Sequence, residues 1–213
     1  DFSPRTVNVC AAALISFYRT AIQRSSPVAS VPGMNMGRPL PKVYSRQNIR
    51  AIPGATSNPK QRLILIKAYG HGLRPDQIRN LRPEHISLDR RVLTVRHGNG
   101  NNDRSVMINR KLLPDLKAYL TNGCGTVRLF ESPCPGHRLT ARTISLICKH
   151  ACQKTGIFRK GGIHGLRHGF ATHALEQGTD LRHTQELSGY SSSKTTEIYT
   201  HVSKSAIAKI RSP

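Results

Sequence analysis

The 213-residue sequence contains no tryptophan, and six tyrosines with five phenylalanines leave few flat platforms on which single-stranded bases could stack. Acidic side chains are scarce: 11 Asp and Glu stand against 33 Lys and Arg, a formal net charge of +22. No apolar run approaches the ~20 residues that a membrane helix needs, which excludes a helix-spanning chain. Cysteine is also thin. Cys10, Cys124, Cys134, Cys148 and Cys152 are odd in number and contain no CxxC pair, so neither a disulfide framework nor a common zinc motif is indicated. Cys148 and Cys152 lie four apart within an apolar stripe and are expected in a core, in a chain from a reducing, intracellular compartment. No signal peptide is apparent, and the first residue is Asp1 rather than Met, so a piece of something longer is expected.

Against these shortages stand 37% hydrophobic residues, enough for a core. A surplus of +22 works against compaction through self-repulsion, and neutralisation by a polyanion explains its persistence. Nucleic acid is the first such partner; an anionic membrane surface is the second.

Along the chain, Val7, Cys10, Ala11, Leu14, Phe17, Tyr18 and Ala21 recur at helical spacing. Residues 25–41 then hold four prolines and two glycines without periodicity, the composition of a linker. The expected organisation is therefore 1–24 as the last helix of a truncated upstream domain, 25–41 as linker, and 42–213 as the main domain. Pro59 to Gly70 is apolar nearly all round, a buried helix, and Pro75 starts another running to about Arg82. Two extended runs, Val92–His97 and Arg104–Ile108, flank Gly98-Asn99-Gly100, a hairpin signal, and 85–88 offers a third strand. Four stripes around Leu112–Leu120, Ile144–Cys152, Leu166–Leu175 and Asp180–Leu187 read as helices, followed by one capped by Ser193 and a short one over Ala206–Ile210. The expected fold class is α+β, mostly helical, with one small antiparallel sheet.

Chemistry-bearing residues fall at structural punctuation. Arg74 follows Gly72-Leu73 between two helices; His164 and Arg167 lie three apart on one helix face; Tyr190 follows Gly189; and Tyr199 lies nine residues on. His164 and His168 also have a metal-pair spacing, but Arg167 between them and the lack of a third ligand speak against a cation.

The segment HGLRHGFATHALEQGTDLRHTQELSGYSSSKTTEIYTHVSK, with NPKQRLILIKAYGHGLR upstream, resembles the tyrosine recombinase (phage integrase) family, especially Xer-like and conjugative-element integrases. The resemblance implies a tyrosine-recombinase catalytic domain preceded by the end of a DNA-clamping helical domain, at Arg5 to Tyr18. It implies cleavage and rejoining of double-stranded DNA through a 3′-phosphotyrosyl intermediate, without metal, ATP or other cofactor. Tyr199 would be the nucleophile, Arg74 and Arg167 the clamp on the phosphate oxygens, and His164 a proton acceptor or hydrogen-bond partner. Two family positions are altered. The hairpin lysine that serves as general acid is Asn99, a carboxamide with no proton to give at ordinary pH. The second histidine, sometimes tryptophan, is Tyr190, which can still donate a hydrogen bond. Gln77 stands where an acidic residue commonly follows the first arginine, and His97 is a candidate substitute acid. The resemblance further implies a homotetramer on DNA through exchange of the Ser205–Ile210 segment, and a cytoplasmic, bacterial, DNA-associated protein. A catalytically impaired DNA-binding relative is the second expectation.

Overall fold

The computed structural model describes residues 2–23, 33–35, 43–96, 103–123, 125–134, 137–158 and 161–189. The chain divides into two compact units, Asp1–Pro39 and Leu40–Pro213.

The first unit is built on α1 (Pro4–Thr20), which starts at an N-cap Ser3 that accepts from the Thr6 amide, with Pro4 in the first turn. None of its residues is buried, and Leu14 and Phe17 of its apolar stripe are exposed. Asn8 ties α1 to the Gly33–Asn35 stretch: its amide donates to the Met34 carbonyl (2.9 Å) and its carbonyl accepts from the Met34 amide (2.8 Å).

The second unit holds the core. Helix α2 (Arg46–Gly54) was not expected from periodicity, because Pro53 and Gly54 crowd its end and only Ile49 and Ile52 mark its buried face. Helix α3 (Pro59–Gly70) is the buried helix expected, capped by Asn58 and started by Pro59; Leu63, Ile64, Leu65 and Ala68 are sequestered. Helix α4 (Pro75–Arg79) is a turn shorter than the reading to Arg82, since Asn80 ends it and a 3₁₀ turn over Pro83–His85 follows.

The third strand is real but brief. Strand β1 (Ile86–Ser87) pairs antiparallel with β2 (Val92–Val95), which pairs with β3 (Arg104–Met107) in a sheet ordered β1-β2-β3. Val95 lies opposite Arg104, so the tip containing Asn99 falls outside the described residues. Helices α5 (Leu113–Asn122), α6 (Ala141–Lys154), α7 (Gly162–Glu176) and α8 (Leu181–Ser188) complete the described elements. Cys148 and Cys152 are buried in α6, and the Tyr44 hydroxyl contacts the Cys152 sulfur at 3.6 Å, as core packing requires. Helix α7 packs on α3 and carries α6 and α8 at its flanks. The two helices expected after Ser193 lie outside the described residues.

Candidate active site

The site forms where α3, α4, α7, α8 and β3 meet. Helix α3 ends at His71, and Gly72 takes the left-handed conformation (φ +58) that turns the chain toward Arg74. A β-carbon on Gly72 would approach Phe170 of α7 to 2.7 Å, so this turn needs glycine for conformation and for space. Arg74 precedes Pro75 at the start of α4, and the Gln77 side-chain carbonyl reaches back to accept the Arg74 amide at 3.1 Å.

Arg167 projects from α7 and is only 3% exposed. One of its terminal nitrogens donates to the Gly72 carbonyl, and the other to the Ser188 carbonyl at 2.7 Å. Carbonyls from the ends of two different segments therefore fix the guanidinium plane. His164, one turn earlier on α7, is exposed. Its pKa lies below the usual imidazole value because of partial desolvation first, then the Arg167 and Arg74 charges, with Asp76 opposing. A neutral ring at pH 7 can accept a proton. His168 is pushed down to about 4, mainly by burial, then by His164 and Arg167.

From the sequence alone Arg104 is a strand residue without a role. It lies with Val106 and Ile108 on the inward-facing positions of β3, while Ser105 and Met107 point out. Its Nε donates to the Leu187 carbonyl (3.0 Å) and its Nη2 to Gln77 Oε1 (3.2 Å). Desolvation, followed by the Arg167 and Arg74 charges, pushes its pKa down to about 10. A cation on the inward parity of a strand was the signal available in the sequence. Gly189, in the left-handed conformation at the end of α8 (φ +64), leaves no room for a β-carbon: one would meet Arg104 Nη1 at 2.5 Å. The carboxamide of Gln77 thus supplies the acceptor that an acidic side chain would provide there, without the charge.

Behind this group, α3 buries two more basic residues. Lys67 is fully sequestered with no hydrogen-bond partner for Nζ among the described residues, and burial lowers its pKa to about 8. His71 is equally buried, both ring nitrogens are without a partner among the described residues, and burial, Lys67 and Arg104 push it to about 3.

The structure therefore brings Arg74, His164 and Arg167 together and adds Arg104 and Gln77. Asn99, Tyr190, Tyr199 and His97 lie outside the described residues.

The phage integrase family model matches residues 45–206. The chain belongs to the phage integrase family. Among relatives of this integrase, tyrosine recombinase XerA of Thermococcus kodakarensis is 33% identical over 218 residues, covering 98% of this chain and 74% of the relative. Tyrosine recombinase XerD of Pseudomonas putida is 31% identical over 225 residues, covering 98% and 75%. A crystal structure of a XerA recombinase superposes with a TM-score of 0.71 at 28% identity, covering 99% of this chain and 78% of that one. The fold also matches a XerH site-specific recombinase solved as a post-cleavage complex with its difH substrate (TM-score 0.74, 20% identity, 98% and 71% covered). This integrase is an enzyme, a site-specific tyrosine recombinase, and its fold is the mostly helical α+β catalytic domain with a small antiparallel sheet.

Proposed function

We propose that Arg74 and Arg167 clamp the non-bridging oxygens of a DNA phosphodiester while Tyr199 attacks its phosphorus. The phenolic oxygen forms a 3′-phosphotyrosyl bond, and the 5′ oxygen leaves as a hydroxyl once protonated. Rejoining reverses the exchange, so the phosphodiester energy is conserved in the covalent link. His164, neutral at pH 7, accepts the phenolic proton or hydrogen-bonds the phosphate. Tyr190 donates a further hydrogen bond to the phosphate, and Asn99 occupies the place of the general acid. The observation that carries this reading is Arg167: a buried guanidinium, locked by two main-chain carbonyls, within electrostatic reach of Arg74 and Arg104. Fixed cations around one point suit charge that develops on phosphate oxygens.

The test is a nicked duplex that traps the covalent intermediate, with Tyr199→Phe as control. A DNA-linked band from the parent and none from Tyr199→Phe is expected; equal bands from both, or none from the parent on its own target, overturn the assignment. Duplex affinity should also fall steeply with salt through counterion release.

A second reading, a DNA-binding relative with weakened cleavage, is favoured by Asn99. Losing a general acid costs roughly 10²–10⁴ in rate, so Asn99→Lys should raise cleavage by that order. We further read 1–24 as part of a DNA-clamping domain separate from the catalytic domain at 42–213, with 25–41 linking them. The assembly on double-stranded DNA is read as a homotetramer joined through Ser205–Ile210, in the bacterial cytoplasm.

A further inference from the structure

Beside the clamp lies a cavity of about 370 Å³ that the proposed reaction does not use. Its polar lining is Gln77, Asn80, Arg82, His85, Arg96 and Arg128, with Leu81 and Val95 as its apolar part and Glu84 as its one carboxylate. Existing hydrogen bonds decide which polar atoms remain available. Gln77 Oε1 already receives the Arg74 amide and Arg104 Nη2, so its remaining group is the NH₂ donor. Asn80 Oδ1 receives Arg128 Nη1 at 3.0 Å, which likewise leaves an NH₂. His85 Nδ1 accepts the Arg82 amide at 3.3 Å, which puts the ring proton on Nε2. Burial first, then Arg96, keep that ring below the usual imidazole pKa, with Glu84 and Asp103 opposing and Arg82 assisting.

Three guanidiniums join these donors. Arg82 lies 3.6 Å from Glu84, whose same oxygen is 3.9 Å from His85 Nε2. Arg96 has no hydrogen-bond or ion-pair partner among the described residues. A wall made almost wholly of donors, with a cationic surplus, matches a ligand that only accepts: an anion with several oxygens, of the phosphate class. Its position narrows the source. Gln77 belongs to both places, bonded to the clamp through its carbonyl while lining the cavity, so α4 separates two adjacent seats for negative charge. A DNA strand carries one negative charge per ~3.4 Å of axis, and so presents further phosphates close to the one being cleaved.

We propose that this cavity seats a second backbone phosphate of the bound DNA strand, next to the one held by Arg74 and Arg167. The inference rests on the DNA-cleaving reading above. The second seat contributes binding and register but takes no part in bond making.

The test uses the full chain and a mixed-sequence duplex titrated over a range of KCl. Arg96→Gln and Arg128→Gln should each weaken binding without sequence preference and reduce the log–log salt slope by about 1, and the double variant by about 2. Arg128→Lys, which keeps the charge but loses the forked geometry, should restore the slope. Lys117→Gln, on α5 outside the cavity, controls for bulk charge. If the parent binds the duplex and the double variant has an unchanged slope, the second seat is overturned while the DNA reading stands. If the parent binds no duplex, both fall. Inorganic phosphate, titrated by calorimetry into the same proteins, distinguishes the sources: phosphate binding lost in the double variant with duplex binding intact assigns the cavity to a free phosphate compound and overturns the DNA-strand proposal.

Discussion

Two groups of buried bases lie back to back in this integrase and have opposite fates. In the clamp, Arg104 and Arg167 have acceptors in the Gly72, Leu187 and Ser188 carbonyls and the Gln77 carboxamide, although Arg104 Nη1 has none among the described residues. At the end of α3, Lys67 and the cap residue His71 are buried with no acceptor among the described residues. Arginine keeps its charge under such crowding, as even the value of about 10 for Arg104 leaves it cationic at neutral pH. Histidine yields its proton instead, its pKa pushed to about 3, while lysine, lowered to about 8, keeps its charge at neutral pH at a cost. Cations held by carbonyls keep their charge comfortably, and those without such acceptors are pushed toward the neutral form.

The largest effect that could break this comparison is acid sensitivity. His71 binds its proton near 6.5 in the unfolded chain but only near 3 when folded, so the unfolded state holds more protons between these values. Stability should be intact above pH 6.5 and fall as pH drops toward 3, by about 4–5 kcal/mol at full protonation. Urea melts across that window check it, and His71→Leu should flatten the curve.

Next is Arg167→Lys, which keeps the charge but loses the fork held by Gly72 and Ser188. Covalent-complex formation should fall by roughly 10²–10³, on the scale of losing one preorganised oxyanion donor. Trapping at saturating DNA reads it, and an unchanged rate would mean that charge alone suffices.

Lys67→Met replaces an unpartnered amine by an apolar chain of similar length. It should stabilise the domain by about 3 kcal/mol at neutral pH, because the parent carries a charged lysine whose pKa has fallen from 10.5 to about 8. In the parent, stability should rise with pH between these two values; in the variant this rise should vanish in thermal melts.

The smallest effect sharpens the clamp side. Gln77→Glu would give Arg104 a charged acceptor and should add about 1 kcal/mol of stability. A lower melting temperature would indicate that the carboxamide donor facing the cavity matters more than the charge.

Much of this arrangement was legible in advance. The apolar run in Pro59–Gly70 required a buried helix, and the roles of Arg74, His164 and Arg167 followed from the resemblance to the tyrosine recombinases that their motifs carry. Arg104 escaped because its role depends on α4 and α8 arriving beside β3. Helix α2 escaped because nine residues ending in Pro53-Gly54 carry too short a pattern. Lys67 was hidden by its type, because lysine is ordinarily a solvated residue, yet here it is fully buried.

Periodicity, turn chemistry and motif order, which are properties of neighbours along the chain, were enough for the helical stripes, the paired strands and the family. Only the tertiary structure decided which cations are paired, which lose their protons, and that Gln77 stands between the clamp and an arginine-lined cavity. Burial and acceptor supply are set by elements distant in sequence, and they fix the energy of every charge in the site.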